Sequence, residues 1–250
     1  MMIKITEKCS MGCSHCMNRA TCNGEHMSFD IFKDVIEFQK KYGGPFCFIT
    51  GGEPFEHPNF IQFLLYAKQQ LPECFITIAT NGVAMQDILT AKFVYDLGRH
   101  TFPPVLFQVC NDSRYYPTSI DLSLPVFELN NVTVITEVPR LYPQGRTLDN
   151  KLKWESNGSK CFNVRAVAHQ IQNPTIEKII GVLAYKEKIC TPHISIHGNI
   201  KLGESDLCPV CSNIYKSEKE IINDILNFRC HGCDHVNCKL DSYYKNLIGE

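Results

Sequence analysis

Two hydrophobic periods alternate along the first half of the chain. Ile3 to Thr6 is a short β-prone run. After Ser28, a candidate N-cap, apolar residues recur at helical spacing at Ile31, Phe32, Val35, Ile36, Phe38 and Tyr42, and Gly43-Gly44 ends the helix. Phe46 to Thr50 reads as a buried strand. Pro58 stands where the first turn of a second helix is expected, with Phe60, Ile61, Leu64, Leu65 and Leu71 as its apolar face. Phe75 to Ala79 is the next strand, closed by Asn81-Gly82. A third helix is predicted from Met85 to Leu97 with Gly98 after it, and Val105 to Cys110 and Val132 to Val138 are further strands. Strands and helices joined by short connections imply parallel βα units, and right-handed crossovers curl such units into an open sheet or a barrel. Residues 111–131 carry no helical pattern, so a barrel built this way is shortened.

The second half changes character. Residues 147–160 are polar. Asn173-Pro174 opens a helix with Ile176, Ile179, Ile180 and Leu183 on one face. Ile194 to Ile196 and Ile200 to Leu202 flank Gly198-Asn199, a hairpin signal. Ser217 and Glu220 match a capping box ahead of Ile221, Ile222, Ile225 and Leu226. The pattern divides the chain into an α/β portion at 1–146, a bridging segment and helix at 147–189, and a small α+β portion at 190–250.

Composition narrows the class. The chain has 250 residues, 44% hydrophobic and 20% charged, so it is globular rather than disordered or fibrous. The formal net charge is -1, which offers no electrostatic reason to expect nucleic acid or an anionic membrane as partner. No run approaches the ~18 apolar residues of a membrane span, and the opening MMIKITEKC is too polar for a signal peptide. Fourteen cysteines are many for such a chain. In a cytoplasmic protein, the expectation here, clustered cysteines read as metal ligands or catalytic thiols rather than disulfides.

Cys9, Cys13 and Cys16 stand as C-x3-C-x2-C just after the first strand. Three thiolates this close suit three irons of a [4Fe–4S] cube and leave the fourth iron open to a ligand. Gly12 allows the loop a positive φ. Thr50-Gly51-Gly52-Glu53-Pro54 lies at the carboxyl end of the second strand, the end that carries chemistry in parallel barrels. Its two glycines are expected to let a ligand approach backbone, and Glu53 offers a carboxylate to a cationic group.

Together with Thr80-Asn81-Gly82, these motifs resemble the radical S-adenosylmethionine enzymes, over about residues 1–146. His15 sits before the third cysteine, where that family carries an aromatic residue or histidine. The resemblance implies a partial (β/α) TIM-like barrel and a [4Fe–4S] cluster whose open iron binds the amino and carboxyl groups of S-adenosylmethionine. Gly51, Gly52 and Glu53 would then cradle the methionine amine. Reductive cleavage would yield a 5′-deoxyadenosyl radical that removes hydrogen from a substrate. The same resemblance makes Asn81, Asn111 and Asp112 cofactor-contacting candidates, and likens Pro139-Arg140 through Gln144-Gly145-Arg146 to a P-x-G-R segment. The alternative for those arginines is solvated surface.

Two readings compete for the carboxyl-terminal cysteines. Cys190, Cys208, Cys230 and Cys233 around the hairpin and capped helix resemble the twitch domain, a shortened SPASM extension that holds a second [4Fe–4S] cluster; Gly203 stands where the SPASM hairpin has a cysteine. Alternatively, Cys208-x2-Cys211-x18-Cys230-x2-Cys233 is a zinc-ribbon template, with Cys211 in place of Cys190. Cys22, Cys47, Cys74 and Cys110 read as packing residues. Cys161 is a candidate hydrogen-atom donor.

The expectation is a radical S-adenosylmethionine enzyme acting on a peptide, by oxidation or epimerisation, with a low-potential donor such as flavodoxin or ferredoxin as electron source. The alternatives are an oxidoreductase of a small molecule and, in a different class, a non-enzymatic iron–sulfur or zinc protein serving as redox sensor or binding module. The second would explain the cysteines but not the Gly-Gly-Glu turn beside them.

Overall fold

The computed structural model describes residues 1–139, 141, 145–153, 171–184, 192–202 and 209–228. Its frame is an α/β sheet in which five parallel strands follow one another in chain order: β1 (Met2–Thr6), β2 (Phe46–Gly51), β3 (Phe75–Thr80), β4 (Leu106–Cys110) and β5 (Val132–Ile135). Buried and half-exposed residues alternate along these strands. Ile3, Ile5, Ile49, Ile76, Ile78, Phe107 and Val109 are almost wholly enclosed.

Three helices cross back between the strands. In α1 (Phe29–Tyr42), Ser28 caps the start by accepting from the N–H of Ile31, as the sequence predicts. The second helix, α2 (Phe60–Gln70), begins two residues after Pro58, with Asn59 as N-cap. Its buried face is Phe60, Phe63, Leu64 and Ala67, while Ile61 and Leu65 are exposed. The predicted stripe was rotated because Phe63 stacks on Phe32 of α1, with centroids 4.2 Å apart, and that pair sets the rotation of the helix.

The third crossover divides in two. Ala84–Gln86 form a 3₁₀ turn, and α3 runs from Ile88 to His100 with Asp87 as N-cap, accepting from the N–H groups of Leu89 and Thr90. Gly98 lies inside this helix and does not end it. A Cβ there would come within 2.5 Å of the Asn131 side chain, whose amide nitrogen ties the carbonyls of Val94 and Val105. Gly98 is therefore a packing residue. Between β4 and β5 the only helical turn among the described residues is the 3₁₀ stretch Pro125–Glu128, in keeping with the missing helical pattern, and β5 ends at Ile135 rather than Val138.

The later elements extend the same sheet. After the short α4 (Arg146–Asp149) and α5 (Ile176–Ala184) comes the hairpin β6 (His193–Ile194) and β7 (Asn199–Lys201), turned at Gly198 with φ of 75°. The strand β8 (Val210–Asn213) pairs antiparallel with β7. β6 lies parallel against β1, so the order is β5-β4-β3-β2-β1-β6-β7-β8. The helix α6 (Glu218–Asn227) starts with the predicted capping box of Ser217 and Glu220. Ile176, Ile179, Ile194, Ile221 and Ile225 join the hydrophobic core of the first five strands. No helix among the described residues is long and apolar enough to cross a membrane.

Candidate active site

The carboxyl ends of the parallel strands share one rim, and the polar residues singled out in the sequence converge there. The loop after β1 carries Cys9, Cys13 and Cys16, all free thiols. Gly12 takes a φ of 66° with open space around its missing Cβ, so glycine serves this turn by conformation. Burial pushes the Cys9 thiol up to about 11 and the Cys13 thiol to about 12, and mutual repulsion of the cysteine charges adds to both. A bound cation reverses that preference, since thiolates are the form that ligates.

Three free thiols on one loop are a donor set whose chemistry fits a [4Fe–4S] cube. Among the described residues, no three Cys, His, Asp or Glu side chains are grouped as ligands of one metal ion. A four-iron cube asks instead for thiolates held apart at its corners. Cys22, the nearest further thiol in sequence, is exposed rather than packed.

The glycines of the next turn have a different task from the one expected. A Cβ on Gly51 would lie 2.3 Å from the Thr6 carbonyl oxygen, and one on Gly52 would lie 2.1 Å from that of Lys8. The backbone leading into the cysteine loop fills the space the two glycines leave. The N–H groups of Gly52 and Glu53 donate to Thr6 and Lys8 at 2.7 and 2.8 Å. This backbone ladder fixes the cysteine loop against the Gly-Gly-Glu turn.

Glu53 itself is 3% exposed. Its Oε1 accepts from the Thr80 hydroxyl at 2.8 Å and the Phe55 N–H at 3.2 Å, and its Oε2 accepts from the Asn81 N–H at 2.7 Å. Burial pushes its pKa up to about 7 against the opposing pull of those donors. A cavity of about 220 Å³ opens beside it, bordered by Ser10, Met11, Glu56, Asn81 and Thr118 among others. A cation entering there would meet a carboxyl group poised to ionise. Glu56 closes the near side by accepting from the N–H and hydroxyl of Ser10.

The remaining sequence candidates brace the rim. The Asn111 amide donates to the carbonyls of Asn81 and Thr118. Asp112 is buried and bound by Arg114 and by the Val138 N–H at 2.7 Å, and the Arg114 guanidinium holds its carboxyl well below the usual range. His15 packs against the rings of Tyr115 and Tyr116, with centroids 5.0 and 5.2 Å away, and burial lowers its pKa.

Arg146 is not solvated surface. Its backbone N–H donates to the Cys16 carbonyl at 2.9 Å, one guanidinium nitrogen donates to the Cys13 carbonyl at 3.1 Å, and the other donates to the Ala20 carbonyl. Sequence reasoning named Thr80 only as part of a motif and missed Glu56, the two tyrosines, and Thr147 and Asn150 on this segment. On that segment Gly145 and Arg146 gave a signal, as elements of the P-x-G-R likeness. Cys47 and Cys74 are buried as expected, and Cys110 is half-buried beside Tyr116. Cys211 lies half-buried on β8, its thiol pushed up to about 12 by burial. Cys161, Cys190, Cys208, Cys230, Cys233 and Arg140 lie outside the described residues.

Residues 3–106 match a family model described as the Radical SAM superfamily. That match supports an enzyme and implies S-adenosylmethionine and a [4Fe–4S] cluster. The chain is 30% identical over 84 residues to the antilisterial bacteriocin subtilosin biosynthesis protein AlbA of Bacillus subtilis (strain 168). That alignment takes in 33% of this chain and 18% of the relative. The fold resembles BtrN in complex with AdoMet and 2-DOIA, with a TM-score of 0.54 and 15% identity over 94% of this chain and 84% of that one. It also resembles native anSMEcpe with bound AdoMet, with a TM-score of 0.52 and 12% identity over 88% and 79% of the two chains.

Proposed function

We propose that the chain is a radical S-adenosylmethionine enzyme that modifies a peptide. The observation that carries the radical chemistry is the backbone ladder joining the three-cysteine loop to the Gly-Gly-Glu turn, with Glu53 beside a cavity on the same rim. Cys9, Cys13 and Cys16 would hold the [4Fe–4S] cluster. With S-adenosylmethionine bound, that group would supply radical chemistry able to take hydrogen from an unactivated carbon.

The protein's own residues have positional tasks. Glu53 gives up its proton when an ammonium group enters and then holds that group by charge. Asn81 is tied to Glu53 through its N–H, and Asn111 to Asn81, so these side chains keep the ends of β2, β3 and β4 at fixed spacing. Such a frame suits a partial barrel that aims a cofactor.

A peptide substrate is supported by the bacteriocin-biosynthesis relative. A second, auxiliary [4Fe–4S] cluster on Cys190, Cys208, Cys230 and Cys233, as in a twitch domain, is supported by the hairpin and capped helix that lie between those cysteines in the chain. A cytoplasmic location and a flavodoxin or ferredoxin as electron donor complete the reading, since an open cluster needs a reducing compartment.

The test is anaerobic reconstitution followed by reduction with S-adenosylmethionine present. The expected product is 5′-deoxyadenosine, and the Cys9, Cys13, Cys16→Ala triple variant should form none. About four irons left in that variant would match one auxiliary cube. Zinc at about one per chain without iron would match a four-cysteine ribbon instead. No 5′-deoxyadenosine from an iron-loaded wild-type chain would overturn the enzyme reading.

A further inference from the structure

The cysteine loop is held from outside by residues 145–150. Thr147 Oγ1 donates to the His15 carbonyl at 3.3 Å and Asn150 Nδ2 to the Ser14 carbonyl at 2.7 Å, next to the Arg146 bonds to Cys13, Cys16 and Ala20. Gly145 makes this approach possible, because a Cβ there would lie 2.3 Å from the Cys16 carbonyl oxygen. The carbonyls of consecutive loop residues thus turn toward one segment. The amide N–H groups of Met11 and Cys13 favour the thiolate forms of Cys9 and Cys13. Among the described charged groups acting on those two sulfurs, Glu53 and Glu56 are negative and Arg146 is the cation.

We infer that residues 145–150 form a clasp with Arg146 as its positioning residue, which holds the carbonyls of the cysteine loop in place and sets, by its charge, how readily a cluster bound there is reduced. The inference rests on the cluster reading proposed above. Hydrogen bonds to cluster sulfurs and net charge nearby both govern iron–sulfur potentials. A positive charge favours the more negative, reduced state, so removing it lowers the potential.

The test compares wild type with Arg146→Gln, Arg146→Lys and a Thr147→Val, Asn150→Ala double variant, each reconstituted without oxygen. Arg146→Gln should lose iron to a chelator about 10–100-fold faster, the usual effect of removing a group that supports a ligand. Its remaining cluster should titrate at a more negative potential. Arg146→Lys keeps the charge but not both carbonyl bonds, so it should recover the potential and not the chelator resistance. The double variant should lose iron faster with its potential unmoved. Wild-type iron loss and wild-type potential in Arg146→Gln would overturn the inference while leaving the cluster reading intact. If wild type takes up no iron at the loop, the cluster reading fails, and the clasp is then judged on the iron-free chain by amide exchange. There, residues 13–20 should exchange faster in Arg146→Gln with β1–β4 protection unchanged, and equal exchange in the loop would overturn it.

Discussion

The Thr80 hydroxyl donates to Glu53 Oε1 at 2.8 Å, joining the ends of two neighbouring parallel strands through a carboxyl group that is almost wholly buried. The bond serves two ends. It orders the rim, and it partly offsets the burial that raises the Glu53 pKa, so that ligand binding can shift the titration.

With its folded pKa raised to about 7, Glu53 binds a proton more tightly in the folded chain than in the unfolded one. Its contribution therefore falls as pH rises from about 4.5 to about 7, and is level above that. Glu53→Gln should remove this slope from the thermal stability profile of the metal-free protein. In the same range an ammonium-bearing ligand should bind more tightly as pH rises, releasing a proton. Calorimetry in buffers of different ionisation heat reads that proton directly.

Two glycine substitutions should differ sharply. Gly52→Ala drives a methyl group into the Lys8 carbonyl, which is backbone and has nowhere to go. We expect a loss of about 3 kcal/mol or more, at the upper end of overpacking effects. Gly12→Ala meets no atom and suffers only its positive φ, at about 1 kcal/mol. Denaturant unfolding of the two variants separates them.

Asp112 titrates in the opposite sense to Glu53. Its carboxyl is held low by Arg114, so its contribution is present above the ordinary carboxylate range and is lost as pH falls. Asp112→Asn should cost about 2 kcal/mol at neutral pH. The gap to wild type should narrow steadily below about pH 4, as acid titration followed by circular dichroism would show.

Ser217→Ala removes the hydroxyl that accepts from the Glu220 N–H and donates to the Glu220 carboxylate, leaving only the backbone half of the capping box, Ser217 N–H to Glu220 Oε2. The expected loss is about 1 kcal/mol. Faster amide exchange at the start of α6, with β1–β5 unaffected, is the matching local signal.

The strands, α1 and the capping box were legible because each rests on local rules: alternating burial, a hydroxyl N-cap, a glycine turn. The cysteine motif and Gly-Gly-Glu were legible as chemistry. What escaped was tertiary. The rotation of α2 depends on Phe63 meeting Phe32, and Gly98 looked like a stop signal because Asn131, its partner in space, is far along the chain. The glycines at 51 and 52 were read as making room for a ligand, yet their neighbour is the chain's own backbone. Arg146 bonds a loop 133 residues earlier, and no periodicity points across that distance.

The pairing of β6 with β1 has a consequence for synthesis. One side of β1 is covered by residues 46–51, the other by residues 193–194. At 5–20 residues per second, roughly 140 further residues take on the order of 10 s to emerge after β2. For that interval the nascent first strand, with its apolar Ile3 and Ile5, has one side open to any other extended chain. Whatever shields it in those seconds, whether a chaperone or a transient contact of the growing chain, governs the yield of folded protein as much as the final stability does.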